Sequence, residues 1–111
     1  MQTTEKGKMY ILGETCLTKE SFEVEFETKK EFYPNGQLRY EETIVEVPAN
    51  VNPFYFPNSR IRDNGSKYIR VGWCKKYHKN GQLFWGLKYN NAGDVIEAST
   101  KYRKDGTIIK M

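Results

Sequence analysis

Residues able to carry chemistry are few in this chain, and their spacing assembles none of them. The one histidine, His78, sits between Tyr77 and Lys79, and the two cysteines, Cys16 and Cys74, lie far apart and outside any C-x-x-C spacing. A general base needs a nucleophile or an orienting carboxylate within reach, and a zinc site needs grouped thiols or imidazoles. No motif supplies either, so His78 reads as a surface-loop residue. Carboxylates are plentiful, but they alternate along strand-like segments, as at Glu23, Glu25 and Glu27, where solvated charge is the ordinary use. The sequence predicts no enzyme, no metal and no cofactor. The N-terminus does not read as a secretion signal, and no apolar run approaches the roughly 18 residues of a membrane-spanning helix. The thiols are accordingly expected to be free and partly buried, and the protein cytoplasmic.

Charge is more pointed than catalysis. Residues 1–50 hold six Lys or Arg against ten Asp or Glu, a balance of −4, whereas residues 51–111 hold twelve against four, a balance of +8. In the basic half the cations stand among aromatics, as in Lys75-Lys76-Tyr77-His78-Lys79 and Lys101-Tyr102-Arg103-Lys104. One 25-residue offset carries Lys76 to Lys101 and Lys79 to Lys104, so the two clusters are expected at the same end of the molecule. Such a rim attracts an acidic protein, phosphates or anionic lipid. Lysines beside turns and sheet edges also serve solubility and block edge pairing, and both readings stand at this level.

A second candidate surface lies between Val47 and Tyr68, a segment holding three of the four prolines and the triplet Phe54-Tyr55-Phe56 between Pro53 and Pro57. It cannot be a central strand, because proline donates no ladder hydrogen bond. Three consecutive aromatics on an extended backbone cannot all point inward. Either the loop plugs an open end of a sheet with Phe54 and Phe56, or Tyr55 and its neighbours meet a partner. The candidate partner-binding residues are thus Phe54, Tyr55, Phe56, Lys75, Lys76, His78, Lys79, Arg103 and Lys104.

What must position these residues is a repeat. An aromatic, three residues, a glycine, one residue and an aliphatic recur as Phe32 to Leu38, Tyr77 to Leu83, Tyr89 to Val95 and Tyr102 to Ile108. Asn35-Gly36, Asn80-Gly81 and Asp105-Gly106 suit two-residue hairpin turns with positive φ at both central positions. Asn64-Gly65 is a further candidate, while Ala92-Gly93 predicts a longer loop using Asn90 or Asn91. Between the tips apolar residues alternate, as in Phe22, Val24 and Phe26, or Leu83, Trp85, Leu87 and Tyr89, which is the period of a half-buried strand. A bulge or strand end is expected at Ile44 to Val47, where the alternation slips phase. Trp73, Trp85 and Leu83 are expected on the buried side.

The whole reads as one all-β domain, residues 1–111: an open antiparallel meander of consecutive hairpins, irregular over residues 1–28 and interrupted by a Pro-rich insertion at 48–66. No long helix is expected, and Thr18 to Phe22 has room for a turn or two at most.

Gly72-Trp73 followed by Tyr77, Asn80-Gly81, Leu83, Gly86 and Tyr89 resembles a unit of the MORN-variant repeat, and Phe32 to Glu42 resembles another. The resemblance covers residues 29–45 and 70–110. It implies a single-layer sheet of hairpins that binds rather than catalyses, and it is similar to small bacterial antitoxin or immunity proteins of the YwqK type, which act by contact with a partner toxin. Three functions follow as expectations: a protein-binding module such as an antitoxin, immunity or phage-encoded inhibitor protein; an electrostatic binder of nucleic acid or anionic lipid; and an assembly subunit that forms homo-oligomers through edge strands.

Overall fold

The computed structural model describes residues 2–109 and contains one antiparallel sheet with no helix. Its strands are β1 (Gln2–Glu14), β2 (Lys19–Phe32), β3 (Leu38–Glu46), β4 (Arg60–Ile61), β5 (Lys67–Arg70), β6 (Gly72–Tyr77), β7 (Leu83–Tyr89) and β8 (Val95–Ala98). They lie side by side as β1-β2-β3-β6-β7-β8, with β5 sharing β3 with β6 and β4 pairing only with β5. The sheet is not closed into a barrel, and the open hairpin meander expected from the sequence is what forms.

The N-terminal part is more regular than its sequence suggests. β1 and β2 pair without a break from Gln2↔Glu31 to Glu14↔Lys19, so Thr18 to Phe22 contributes to a turn and a strand rather than to any helical turn. Fourteen residues at about 3.3 Å each span about 46 Å, and this ribbon accounts for the 48 Å long axis. Two glycines in β1 make room for rings. A Cβ on Gly7 or Gly13 would stand 2.6 Å from the ring of Phe26 or Tyr55 respectively, a distance no side chain tolerates.

The core lies on one face of the sheet, where β1, β2, β3 and β5 run side by side. Ile11, Val24, Val45, Val47, Ile69 and Val71 pack there with Tyr55 and Phe56, and Met9, Phe22 and Val51 close its margin. The Pro-rich loop therefore does plug the sheet, with a different pair from the one expected: Tyr55 and Phe56 are 7% and 3% exposed, whereas Phe54 is 76% exposed. Asn52 sets this choice by accepting hydrogen bonds from the Phe54 amide through its side chain and the Tyr55 amide through its carbonyl. The resulting turn aims Phe54 outward and brings two successive rings inward, at 6.1 and 6.3 Å from Phe22. The tip of the β7–β8 hairpin also curls in, where the Leu12 amide donates to the Asn91 carbonyl at 3.0 Å.

The phase slip at Ile44 to Val47 is a strand end coupled to a change of neighbour. Tyr40 and Glu41 pair with β6, Ile44 to Glu46 pair with β5, and the break between those partners falls at Val71 and Gly72, where φ is +66°. Ile44 and Val45 are both buried, on opposite faces.

Candidate functional site

Five hairpin tips share one construction, and it is not the two-residue turn expected. At Tyr33–Gln37 the Gly36 amide donates to the Tyr33 carbonyl and the Tyr33 amide donates to the Gln37 carbonyl. The same two bonds recur at Arg62–Ser66, His78–Gln82, Asn90–Asp94 and Arg103–Thr107. Only the glycine of each tip has positive φ, from +85° to +88°, and among the described residues no other residue type does. Each tip is thus a type I turn followed by a left-handed glycine, the usual three-residue hairpin loop with its bulge. The residue before the glycine contributes an acceptor rather than a left-handed backbone. Asn35, Asn64, Asn80 and Asp105 each take the amide two residues on at 2.9–3.0 Å. The Ala92-Gly93 tip is built alike instead of longer, with Asn90 Oδ1 receiving the amides of Ala92 and Asp94.

Three of these tips stack in a column at one end of the sheet. Asn35 Nδ2 donates to the Lys79 carbonyl at 2.9 Å, and Asn80 Nδ2 donates to the Lys104 carbonyl at 2.5 Å. Two positions before those carbonyls, the pattern repeats with other donors: Tyr33 Oη donates to the Tyr77 carbonyl and His78 Nε2 to the Tyr102 carbonyl, each at 2.7 Å. His78 also stacks on Phe84, 4.7 Å away and nearly parallel. It is a linker between tips rather than a loose loop residue. The column brings Lys79, Arg103 and Lys104 together, all exposed, as the 25-residue offset predicts.

The remaining candidates do not join them. Lys75 and Lys76 are adjacent in β6 and so point to opposite faces. The Lys75 ammonium stands 5.1 Å from the Trp73 ring centre, with Lys88 at 6.0 Å, while Lys76 is paired across from Trp85. Trp73 and Trp85 consequently occupy opposite faces, not one buried side, because Trp73 is opposite Lys88 and Trp85 opposite Lys76. Both tryptophans and Leu83 remain half-buried. Phe54 belongs to the loop at the other end of β3, away from the column, and Tyr55 and Phe56 are core. The nine candidates therefore do not form one continuous patch.

A polar cluster that no sequence motif announces sits where β3 meets β5 and β6. The Arg70 guanidinium donates to Glu42 at 3.1 Å, and Tyr40 donates to the same carboxylate at 2.9 Å. Cys74, 2% exposed, lies beside them. Burial raises the pKa of the Cys74 thiol, and burial followed by the Glu42 charge raises that of Tyr40. Burial pulls Arg70 down, but the hydrogen bond and charge of Glu42 outweigh it and hold the guanidinium protonated. Tyr77, donating to Glu41 at 3.2 Å, is pushed up to about 12 by burial and by that carboxylate. A protonated, buried thiol is a poor nucleophile. Cys16 is exposed in the β1–β2 turn.

A cleft of about 850 Å³ lies between β2, the start of the Pro-rich loop and the Arg62–Ser66 tip. Among the described residues no group of three or more His, Cys, Asp or Glu could hold a metal, and no helix is long and apolar enough to cross a membrane. No protein-family model, curated protein or solved structure matches the chain.

Proposed function

We propose that this chain is a non-enzymatic, cytoplasmic protein-binding module, an antitoxin, immunity or phage-encoded inhibitor protein that acts by direct contact. The observation that carries the reading is the uncovered state of β6 and β7. Among the described residues no second sheet packs on either face of them, yet Trp85, Leu83 and Leu87 stand half-buried with Lys76 on one face, and Trp73 with Lys75 and Lys88 on the other. Half-buried tryptophan set among long cations on a strand pair is the composition of an interface rather than of ordinary solvated surface. The resemblance to hairpin-repeat binding proteins agrees with it.

The test is capture of partners from the native cells, followed by kinetics on the retained protein. Changing Lys79 and Lys104 to Glu should slow association and flatten its dependence on salt, because exposed charge acts mainly on encounter. Trp85→Ala should chiefly hasten release. Retention of no protein by the folded chain would sink the reading. The adjacency of Lys79, Arg103 and Lys104 on stacked tips favours a second reading, binding to nucleic acid or anionic lipid. That reading requires log affinity to fall steeply and linearly with log salt and the tryptophan change to matter little.

A further inference from the structure

The meander has a gap. β3 pairs with β2 only from Phe26↔Val45 to Phe32↔Leu38, so the outward edge of β2 from Lys19 to Glu25 has no strand beside it. Among the described residues no backbone bond outside the sheet ladder involves that stretch; the nearest is in the adjoining turn, where the Thr15 amide donates to the Thr18 carbonyl. The roughly 850 Å³ cleft opens where this edge parts from β3, between Val24 and Glu25 on one side and Val47, Val51 and Phe56 on the other.

At the far wall of the cleft stands Arg62. Its guanidinium lies over the Tyr68 ring at 5.0 Å, and its Nε is buried with no hydrogen-bond partner. A desolvated cationic N–H without an acceptor is costly and seeks one. Lys67 lines the same wall together with Glu46, leaving it net positive, whereas the β2 wall carries Glu25 and Glu27, with Lys6 4.0 Å from Glu25. The two walls differ in sign.

Edge groups, an apolar floor and a cation with one unpartnered N–H together describe one kind of occupant. We propose that the cleft receives an extended peptide segment of the protein partner, which adds as a strand to the open edge of β2, places an apolar side chain against Val47 and Phe56, and sets a carboxylate on Arg62. Its residue at the Glu25–Glu27 wall is neutral or basic. Main-chain bonds supply affinity in such strand addition and the flanking pockets supply selectivity. The inference rests on the protein-binding reading, and it adds a surface separate from β6 and β7.

The experiment pans a displayed library of random 12-residue peptides on the full chain and remakes the enriched peptides synthetically. Enriched peptides should share an Asp or Glu near an apolar residue. They should bind at least tenfold more weakly to Arg62→Gln and to Arg62→Lys, which keeps the charge but lacks the Nε–H. Methylation of alternate backbone nitrogens in the peptide, which leaves the protein untouched, should abolish binding. Amide exchange should slow at residues 20–25 and stay unchanged at the Gly81 and Gly106 tips. A failure to enrich, peptides indifferent to Arg62 or to N-methylation, or protection confined to the tips would each overturn the cleft as a strand-binding site. Those failures leave the protein-binding reading intact if a captured partner still depends on Trp85 and Lys79, and retention of no partner at all would end that reading separately.

Discussion

At the residue scale the informative atom is the side-chain nitrogen of Asn80. Asn80→Asp keeps the acceptor that closes its own turn and deletes the donor that reaches the Lys104 carbonyl. It should cost about 1 kcal/mol in a denaturant titration, the net worth of one hydrogen bond. Gly81→Val should cost more than that, since a β-branched residue at φ +88° is strained and its Cβ would also stand 3.0 Å from Gln37. Tyr77 gives a pH signature. Its folded pKa lies above the ordinary phenol value, so between about pH 10 and 12 the unfolded chain has lost a proton that the folded chain keeps. Stability should therefore fall as pH rises through that window, and Tyr77→Phe should flatten the fall. A slope unchanged by Tyr77→Phe would refute the assignment.

Elements show why the sequence was legible in some places and opaque in others. Strand periodicity and the Asn-Gly tips are local signals, and the meander follows from them. Register across a bulge is not local, which is why Trp73 and Trp85 read as one face and occupy two. The turn type was misread for a similar reason: Asn before Gly fits a left-handed pair equally well as an acceptor for the next amide, and only the backbone distinguishes them. Of the two roles the sequence leaves open for the Pro-rich loop, the plug forms, with Tyr55 in the place expected of Phe54, since Asn52 redirects the triplet. Truncation measures that choice. Tyr55→Ala and Phe56→Ala should each lower stability by about 3–5 kcal/mol, whereas Phe54→Ala should stay within about 0.5 kcal/mol. Equal losses at all three would contradict the burial pattern. The Arg70–Glu42–Tyr40 cluster and the Arg62 cleft had no sequence signal, because each depends on strands that meet only in the folded sheet.

On the scale of the whole molecule the charge division becomes spatial. The acidic first 50 residues form β1 to β3 and the basic remainder forms the rest, so the sheet is polarised across its width. On the proposed protein-binding reading, an acidic partner would be oriented before contact, with the column of tips leading. Association measured at rising salt should slow in the wild type and change little once Lys79 and Lys104 are Glu. An identical salt response in both would show that the polarity plays no part in encounter.

Asp105 occupies in the last stacked tip the place that Asn35 and Asn80 hold in the others, and it offers two oxygens where they offer an oxygen and an amide. Thr107 holds that carboxylate ionised through its hydroxyl and its amide. Were another hairpin unit laid beside it, the incoming carbonyl would face negative charge instead of a donor. At this position the repeat is thereby given a polarity: Asn35 and Asn80 each hand a hydrogen to the next tip, and Asp105 has none to hand on. An engineer laying a further hairpin beside the third tip would therefore begin with the nitrogen-for-oxygen exchange Asp105→Asn.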